Sequence, residues 1–206
     1  MTVKRGKQHT FVGMDIIFTK ETTVQITMKG HTKKCFEAFH IFDEEISKGA
    51  NTPAKSKLFE IDEHAIPLDE TKSEGFHHIV AKLLFATKRV RIDVNLTVAF
   101  LCTRVSCSDV NDWEKLRRLL RYLYDTINLA RTIGANGMDI LQIWVDASYA
   151  THHDMRGHTG GLVSMGIGAI HNKCSKQKLN AKSSTETEII RASNYIPWTL
   201  WAKRFL

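Results

Sequence analysis

The chain has 206 residues, of which 43% are hydrophobic and 25% are charged. This composition is ordinary for a folded protein and argues against a fibrous or disordered chain, and the length allows one or two domains with a buried core. Lysine and arginine number 29 against 22 aspartates and glutamates, so the formal net charge is +7. This excess favours an anionic partner such as nucleic acid, although charge alone is equally compatible with a basic protein that binds none.

The sequence contains no recognisable targeting or zinc-binding signal. No apolar run approaches the roughly 18 residues that span a bilayer, and the basic residues 1–7 are not followed by an apolar signal core. We therefore predict an intracellular protein without a membrane partner. The cysteines are too scattered for a zinc motif, so we predict free thiols at Cys35, Cys102, Cys107 and Cys174.

The first quarter of the chain predicts a β-hairpin followed by a helix. Apolar residues alternate over 12–18 and again over 24–28, on either side of a short polar turn. Such period-two alternation is typical of two antiparallel strands. Apolar residues then recur at helical spacing over 31–42, and residues 47–56 have the polar, glycine- and proline-containing composition of a loop and boundary.

Three further helices are predicted between residues 76 and 127. The first carries an apolar stripe over residues 76–84, the second runs from Asp93 toward Val105, and the third begins at Asp109 or Asn111, either of which can cap it. Basic residues lie off the apolar stripe of the third helix; they are Lys115, Arg117, Arg118 and Arg121. Such a face is either the solvated side of the helix or a contact surface for phosphates. Residues 134–137 then predict a break.

The stretch over residues 143–150 ends an apolar run on a carboxylate, and it predicts a buried strand that delivers Asp146 to a site. An aspartate at a strand end can also form a turn or a cap, so the strand alone leaves its role open. A helix is predicted to start near residue 183. Glu186 and Glu188 both stand at capping-box spacing, from Ser183 and Thr185 respectively, so local chemistry does not decide which of them is structural.

Two polar clusters lie between the Asp146 strand and this helix. Histidines 152, 153 and 158 stand close to Asp154, but two adjacent histidines in a hairpin connection favour a polar turn over a zinc site. The second cluster is basic and rich in hydroxyl groups: Lys173, Lys176, Lys178, Lys182, Ser183 and Ser184. It is either a solvated hairpin end or, because it leads into a helix N-terminus, a cradle for phosphates.

Several long phrases of the sequence resemble the polyproteins of copia-type retrotransposons. G-K-Q-H-T-F-V-G-M-D-I-I-F is similar to the primer-grip hairpin of their reverse transcriptases. F-H-H-I-V-A-K-L-L-F-A-T-K-R-V-R-I-D and D-W-E-K-L-R-R-L-L-R-Y-L-Y-D-T-I resemble the thumb and connection region. V-D-A-S-Y-A, D-M-R-G-H-T-G-G and S-K-Q-K-L-N-A-K-S-S-T-E-T-E resemble the start of their ribonuclease H domain.

The resemblance implies an α+β protein, in which a helical thumb and connection region precedes a truncated ribonuclease H-like α/β fold with a mixed sheet. We predict three segments. Residues 1–49 would form the end of the reverse transcriptase palm and the start of the thumb, residues 50–137 the helical thumb and connection region, and residues 138–206 the truncated ribonuclease H-like domain. The polymerase carboxylates and the later ribonuclease H carboxylates are expected outside this chain.

The resemblance also implies a chemistry: metal-dependent hydrolysis of RNA in RNA/DNA hybrids during reverse transcription. Such sites hold Mg²⁺ or Mn²⁺ on converging carboxylates. Asp146 and Glu188 match the catalytic and metal-binding positions, Glu188 because the apolar run of its helix follows it directly. The remaining partners implied are the hybrid itself and the rest of the polyprotein, with no small-molecule cofactor beyond the metal, in the cytoplasm within a virus-like particle or in the nucleus.

The predicted contacts to the hybrid backbone are Lys173, Lys176, Lys178, Lys182, Ser183, Ser184, Arg117 and Arg121. An alternative to the enzyme is a catalytically incomplete remnant that binds nucleic acid or has no activity. The two hypotheses differ in whether the purified chain cleaves a hybrid or only binds it.

Overall fold

The structure is a computed structural model that describes residues 5–19, 22–47, 49–137 and 140–205. Over these residues the chain is a mixed α+β protein with two antiparallel sheets and five α-helices. The α+β class predicted from the sequence is therefore confirmed at this level. No helix in these ranges is long and apolar enough to cross a membrane.

The first sheet is built on the predicted hairpin. Strands β1 (Gln8–Phe11), β2 (Met14–Phe18) and β3 (Thr23–Thr27) follow one another, with Ile16 of β2 opposite Ile26 of β3. Strand β4 (Arg131–Ala135) pairs with β3, so the predicted break at residues 134–137 begins two residues later than expected. The β3–β4 pair joins a strand of the first predicted segment to one of the second; the segment boundaries themselves stay predictions.

Four helices enclose the main hydrophobic core. They are α1 (Lys29–His40), α2 (Glu70–Thr87), α3 (Asn95–Cys102), which follows a short 3-10 turn, and α4 (Val110–Asp125). Their apolar faces meet in fully buried side chains such as Phe39, Phe76, Phe100, Leu116 and Leu120. The periodic apolar stripes of the sequence thus correspond to this core.

Helix α4 begins with a complete capping box, which resolves the choice between Asp109 and Asn111. The Asp109 carboxylate accepts hydrogen bonds from the backbone N–H groups of Asn111 and Asp112, and Asp112 accepts one from the Asp109 N–H. These bonds satisfy amide groups that have no partner within the helix. Asp109 is therefore the N-cap.

The second sheet is formed by β5 (Gln142–Ser148), β6 (His158–Ser164) and β8 (Ala169–Lys176), with the short β7 (Gly166–Ile167) in the last connection, pairing with β4. The predicted mixed sheet is not found within the described ranges, where every strand pair is antiparallel. The reason is the connections: β5, β6 and β8 follow one another through short loops, whereas a parallel pair needs a long crossover.

Helix α5 (Ser184–Phe205) packs on this second sheet and runs through Pro197. The ring of His171 on β8 stacks on Trp198 at a centroid distance of 4.0 Å. Gly161 on β6 lies under Tyr195 so closely that a Cβ atom there would overlap the tyrosine ring. These contacts hold the second half of α5 against β6 and β8.

Candidate carboxylate and nucleic-acid site

Strand β5 places Asp146 on its solvent side. Residues along this strand alternate between exposed and half-buried, so Trp144, Asp146 and Ser148 face outward while Val145 faces the helix side. The Asp146 side chain is 96% exposed, and one carboxylate oxygen accepts a hydrogen bond from the Ala147 N–H at 2.9 Å. The predicted strand is present, but it is a partly exposed edge strand and not the buried strand that the sequence indicated.

The two glutamates at the start of α5 have different surroundings. Glu186 belongs to the helix start: its carboxylate accepts a hydrogen bond from the Lys182 N–H at 2.6 Å, and its own N–H donates to the Ser183 hydroxyl at 3.2 Å. Glu188 lies two residues further on, is 40% exposed and forms an ion pair with Arg191. Capping thus accounts for Glu186 and leaves Glu188 available to face β5.

Arg191 connects the two carboxylates that the sequence selected. Its Nη1 donates to the carbonyl oxygen of Val145 at 2.7 Å and lies 3.9 Å from Asp146 Oδ1. Its Nη2 forms the ion pair with Glu188 Oε2. Sequence reasoning missed this residue, although its position three residues after Glu188 is the spacing at which helical side chains meet.

A divalent metal does not fit this arrangement as it stands. Two-metal hydrolytic sites need several converging carboxylates, and within the described ranges no group of three or more His, Cys, Asp and Glu side chains is placed to hold an ion. The two carboxylates that do converge already share the guanidinium of Arg191. Asp146 and Glu188 are thus brought together, but around a cation of the protein itself.

The basic segment from Lys173 in β8 to Ser184 at the start of α5 is only partly available to a ligand. Lys176 is engaged with Asp154 at 2.6 Å, Lys173 is half-buried, and the Ser183 hydroxyl is used by the helix start. Lys178 and Lys182 are exposed and, among the described residues, have no acidic side chain within the 4.0 Å of an ion pair, and Ser184 is exposed as well. The contact surface supported by the geometry is therefore smaller than the predicted set.

The basic face of α4 lies elsewhere in the molecule and is also partly neutralised. Arg117 pairs with Asp43 and with Glu114, whereas Arg121 is exposed. Both line a cavity of about 680 Å³, together with further cationic side chains and with acids that include Glu60 and Asp62. No hydrogen bond or ion pair between described residues links this face to the basic segment before α5.

The predicted polar turn is present, with His153 and Asp154 exposed, but the other two histidines of the cluster, His152 and His158, are buried. His152 Nε2 lies 2.9 Å from His158 Nδ1, and His158 Nε2 lies 3.0 Å from Cys174 Sγ. The ring of Phe59 packs edge-on against both imidazoles. Burial lowers the pKa of each histidine to about 4, helped by Lys176 for His152 and by His152 for His158, and burial raises the pKa of the Cys174 thiol to about 11. Both imidazoles are therefore neutral at pH 7.

The cluster could be located from the sequence only with the strand register. His158 contacts Cys174 because β6 and β8 pair in antiparallel register, with Gly160 opposite Cys174 and His158 opposite Lys176. The two residues are sixteen positions apart, and nothing local marks them as partners. The cluster thus lies on the face of the second sheet that packs against Phe59.

Two of the relatives of the chain are named as transposon proteins. The chain is 27% identical over 199 residues to a putative transposon Ty5-1 protein of Saccharomyces cerevisiae, a match that covers 93% of this chain and 61% of that protein. It is 32% identical over 128 residues to the retrovirus-related Pol polyprotein from transposon TNT 1-94 of Nicotiana tabacum, covering 62% of this chain and 10% of the polyprotein. An uncharacterized mitochondrial protein of Arabidopsis thaliana is 31% identical over 114 residues, covering 55% of this chain and 47% of that protein.

The names of the first two relatives agree with the resemblance to retrotransposon polyproteins that the sequence phrases carry. The chain spans less than two thirds of the length of each of these three relatives. No family model matches the chain, and no solved structure matches it.

Proposed function

We propose that this chain is a part of a copia-type retrotransposon polyprotein that binds RNA/DNA hybrids during reverse transcription, alongside the rest of that polyprotein. The observation that carries the proposal is the meeting of β5 and α5, which brings Asp146 and Glu188 to the two sides of Arg191. These are the two carboxylates that the resemblance to ribonuclease H selects. A protein with this role acts in the cytoplasm, within a virus-like particle, or in the nucleus.

Binding would depend mainly on the phosphate backbone. Lys178, Lys182 and Ser184 are exposed just before and at the start of α5, where the helix dipole adds partial positive charge. Cationic side chains on phosphates displace condensed counterions, so affinity falls steeply as salt rises. Arg121 on α4 adds a second exposed cation, and Lys173, Lys176, Ser183 and Arg117 contribute only where a hybrid displaces their present partners.

Hydrolysis of the RNA strand is the second candidate function, with Mg²⁺ or Mn²⁺ as the metal that the resemblance implies. The convergence of Asp146 and Glu188 favours it, whereas the guanidinium between them does not. Binding requires no change in this arrangement. We therefore propose binding as the function of the chain, and cleavage as the property to be tested against it.

The binding test measures the anisotropy of a fluorescent RNA/DNA hybrid at several salt concentrations. We expect binding at low salt, and a Lys178→Ala/Lys182→Ala variant that binds several-fold more weakly with a salt slope smaller by about 1–2. The matched control is Lys33→Ala/Lys34→Ala, which removes the same charge from exposed positions of α1. Equal weakening in both double variants, or no binding at low salt, would contradict the proposal.

The cleavage test uses the same proteins with a labelled RNA strand, in the presence of Mg²⁺ or Mn²⁺. Asp146→Asn and Glu188→Gln are the controls, because each keeps the shape of the side chain and removes its charge. Uncleaved RNA in a hybrid that is bound supports a binding protein. Cleavage that disappears in both variants would establish the ribonuclease and overturn the binding-only proposal.

A further inference from the structure

We propose that Arg191 takes the place of a divalent cation between Asp146 and Glu188, and so excludes metal from this pair of carboxylates. The inference rests on the proposed function, since it concerns the charge balance of the same site. It goes further in naming one side chain of the chain as the reason that the site does not take a metal.

The position of Arg191 on α5 directs it into the site. It follows Glu188 by three residues, so both side chains lie on one face of the helix, and their ion pair is formed. The face is turned toward β5, because Nη1 donates to the Val145 carbonyl at 2.7 Å. The guanidinium is thus anchored both to the helix that carries Glu188 and to the strand that carries Asp146.

The backbone contact distinguishes this arrangement from an ordinary surface ion pair. Strand β5 pairs with β6 on one side only within the described ranges, and the Val145 carbonyl at its other edge takes its hydrogen bond from Arg191. The planar guanidinium has donors pointing in several directions, so it can serve a carbonyl and a carboxylate together. Arg191 is only 25% exposed, which is consistent with a side chain held in one position.

The electrostatic consequence is direct. An ion bound by Asp146 and Glu188 together would have to displace Nη2 from Glu188 and would lie within a few ångströms of the guanidinium. Like charges at that distance repel, and arginine cannot lose its proton to relieve the repulsion. Mg²⁺ and Mn²⁺ are therefore disfavoured as long as Arg191 is present, whereas its removal leaves two carboxylate groups without their internal cation.

The test is Mn²⁺ binding, followed by the electron paramagnetic resonance signal of free Mn²⁺ and by calorimetry. We expect Arg191→Ala to bind Mn²⁺ at least tenfold more tightly than the unaltered chain, and we expect Arg191→Ala/Asp146→Asn and Arg191→Ala/Glu188→Gln to lose that gain. The matched control is Lys57→Ala, which removes the cation from an exposed pair with Glu60 at the same helical spacing of three residues. It is expected to leave Mn²⁺ binding unchanged.

The inference is overturned if Arg191→Ala binds Mn²⁺ no more tightly than the unaltered chain. This holds whether neither protein binds Mn²⁺ or both bind it in a way that Asp146→Asn abolishes. Arg191→Gln provides a second variant if the alanine variant fails to fold, because its amide can still donate to a carbonyl but carries no charge. Hybrid binding is measured on the same proteins without metal. If the unaltered chain does not bind the hybrid while Arg191→Ala gains Mn²⁺ binding, the proposed function is contradicted. If the unaltered chain binds the hybrid while Arg191→Ala gains no Mn²⁺ binding, the role of Arg191 is contradicted.

Discussion

Two arginines of this chain each stand between two carboxylates, and their surroundings differ. Arg104 donates Nε to Asp112 at 2.7 Å and Nη2 to Asp109 at 2.9 Å, and all three side chains are nearly buried at the start of α4. Arg191 pairs with Glu188 and approaches Asp146 to 3.9 Å, but that aspartate is 96% exposed. The same charges thus hold a helix start in one place and remain open to solvent in the other.

The comparison shows that burial and backbone bonding, rather than charge, separate a structural triad from a candidate site. The carboxylates beside Arg104 also accept backbone N–H groups of the capping box, so removing any member leaves polar groups without partners in the interior. Asp146 and Glu188 are both accessible to solvent, so water can hydrate their charges when Arg191 is removed. Only the second arrangement is open to solvent, and Arg191 stands between its carboxylates and an incoming metal.

The largest expected effect breaks the buried triad. Arg104→Ala leaves the almost fully buried Asp112 beside Asp109 without its hydrogen-bonded cation and with only Lys115 at 3.8 Å, and we expect the free energy of unfolding to fall by about 3–5 kcal/mol. Arg191→Ala removes a partly exposed ion pair and one hydrogen bond to a backbone carbonyl, and it is expected to cost about 1–2 kcal/mol. Urea unfolding of the two variants checks the difference. Equal costs would mean that burial does not distinguish the two triads.

The helical part of the molecule could be predicted because its signals are local. Apolar residues such as Phe76, Ile79 and Leu83 repeat on one face of α2, and all three are buried there. The hairpin of β2 and β3 follows from alternation in the same way. The sequence limits the N-cap of α4 to Asp109 or Asn111, and the hydrogen bonds of the Asp109 side chain identify Asp109 as the cap.

The rest depends on partners that are distant in the sequence. Strand β4 has little alternation of its own, and it exists because β3, about a hundred residues earlier, offers an edge for pairing. The carboxylates Asp146 and Glu188 were selected from a resemblance, whereas Arg191 follows only from the packing of α5 on β5. The histidine cluster likewise needs the register of β6 and β8. Local chemistry specifies none of these pairings.

An effect of intermediate size is expected for the buried pair His152 and His158, where burial again determines how much a charge costs. Burial holds the pKa of His152 and His158 near 4, whereas an unfolded chain has the ordinary value of 6.5. As pH falls from 6.5 to 4, these histidines become protonated in the unfolded chain but stay neutral in the folded chain. The free energy of unfolding therefore decreases over this pH range. Each histidine contributes up to about 1.4 kcal/mol per pH unit.

Thermal unfolding between pH 7 and pH 4 measures this dependence. A His152→Gln/His158→Gln variant removes both ionisable rings and is expected to lose less stability over that range than the unaltered chain. His64→Gln is the matched control, because its ring is exposed and it should keep the unaltered profile. Identical slopes in the double variant and the unaltered chain would show that the cluster does not resist protonation.

The smallest expected effect concerns Asp146, which belongs to the solvent-exposed group of Arg191, Asp146 and Glu188. Asp146→Asn keeps the side chain's shape and, because the carboxylate is 96% exposed with its nearest cation at 3.9 Å, should change the free energy of unfolding by less than about 0.5 kcal/mol. The matched control is Asp112→Asn in the buried triad, where the same substitution weakens the charge-assisted hydrogen bond from Arg104 Nε and should cost several times more. Urea unfolding of both variants measures the contrast. If Asp146→Asn lowers the free energy of unfolding by much more than this, the carboxylate is a structural partner of Arg191. Asp146 would then no longer be a candidate ligand-binding residue.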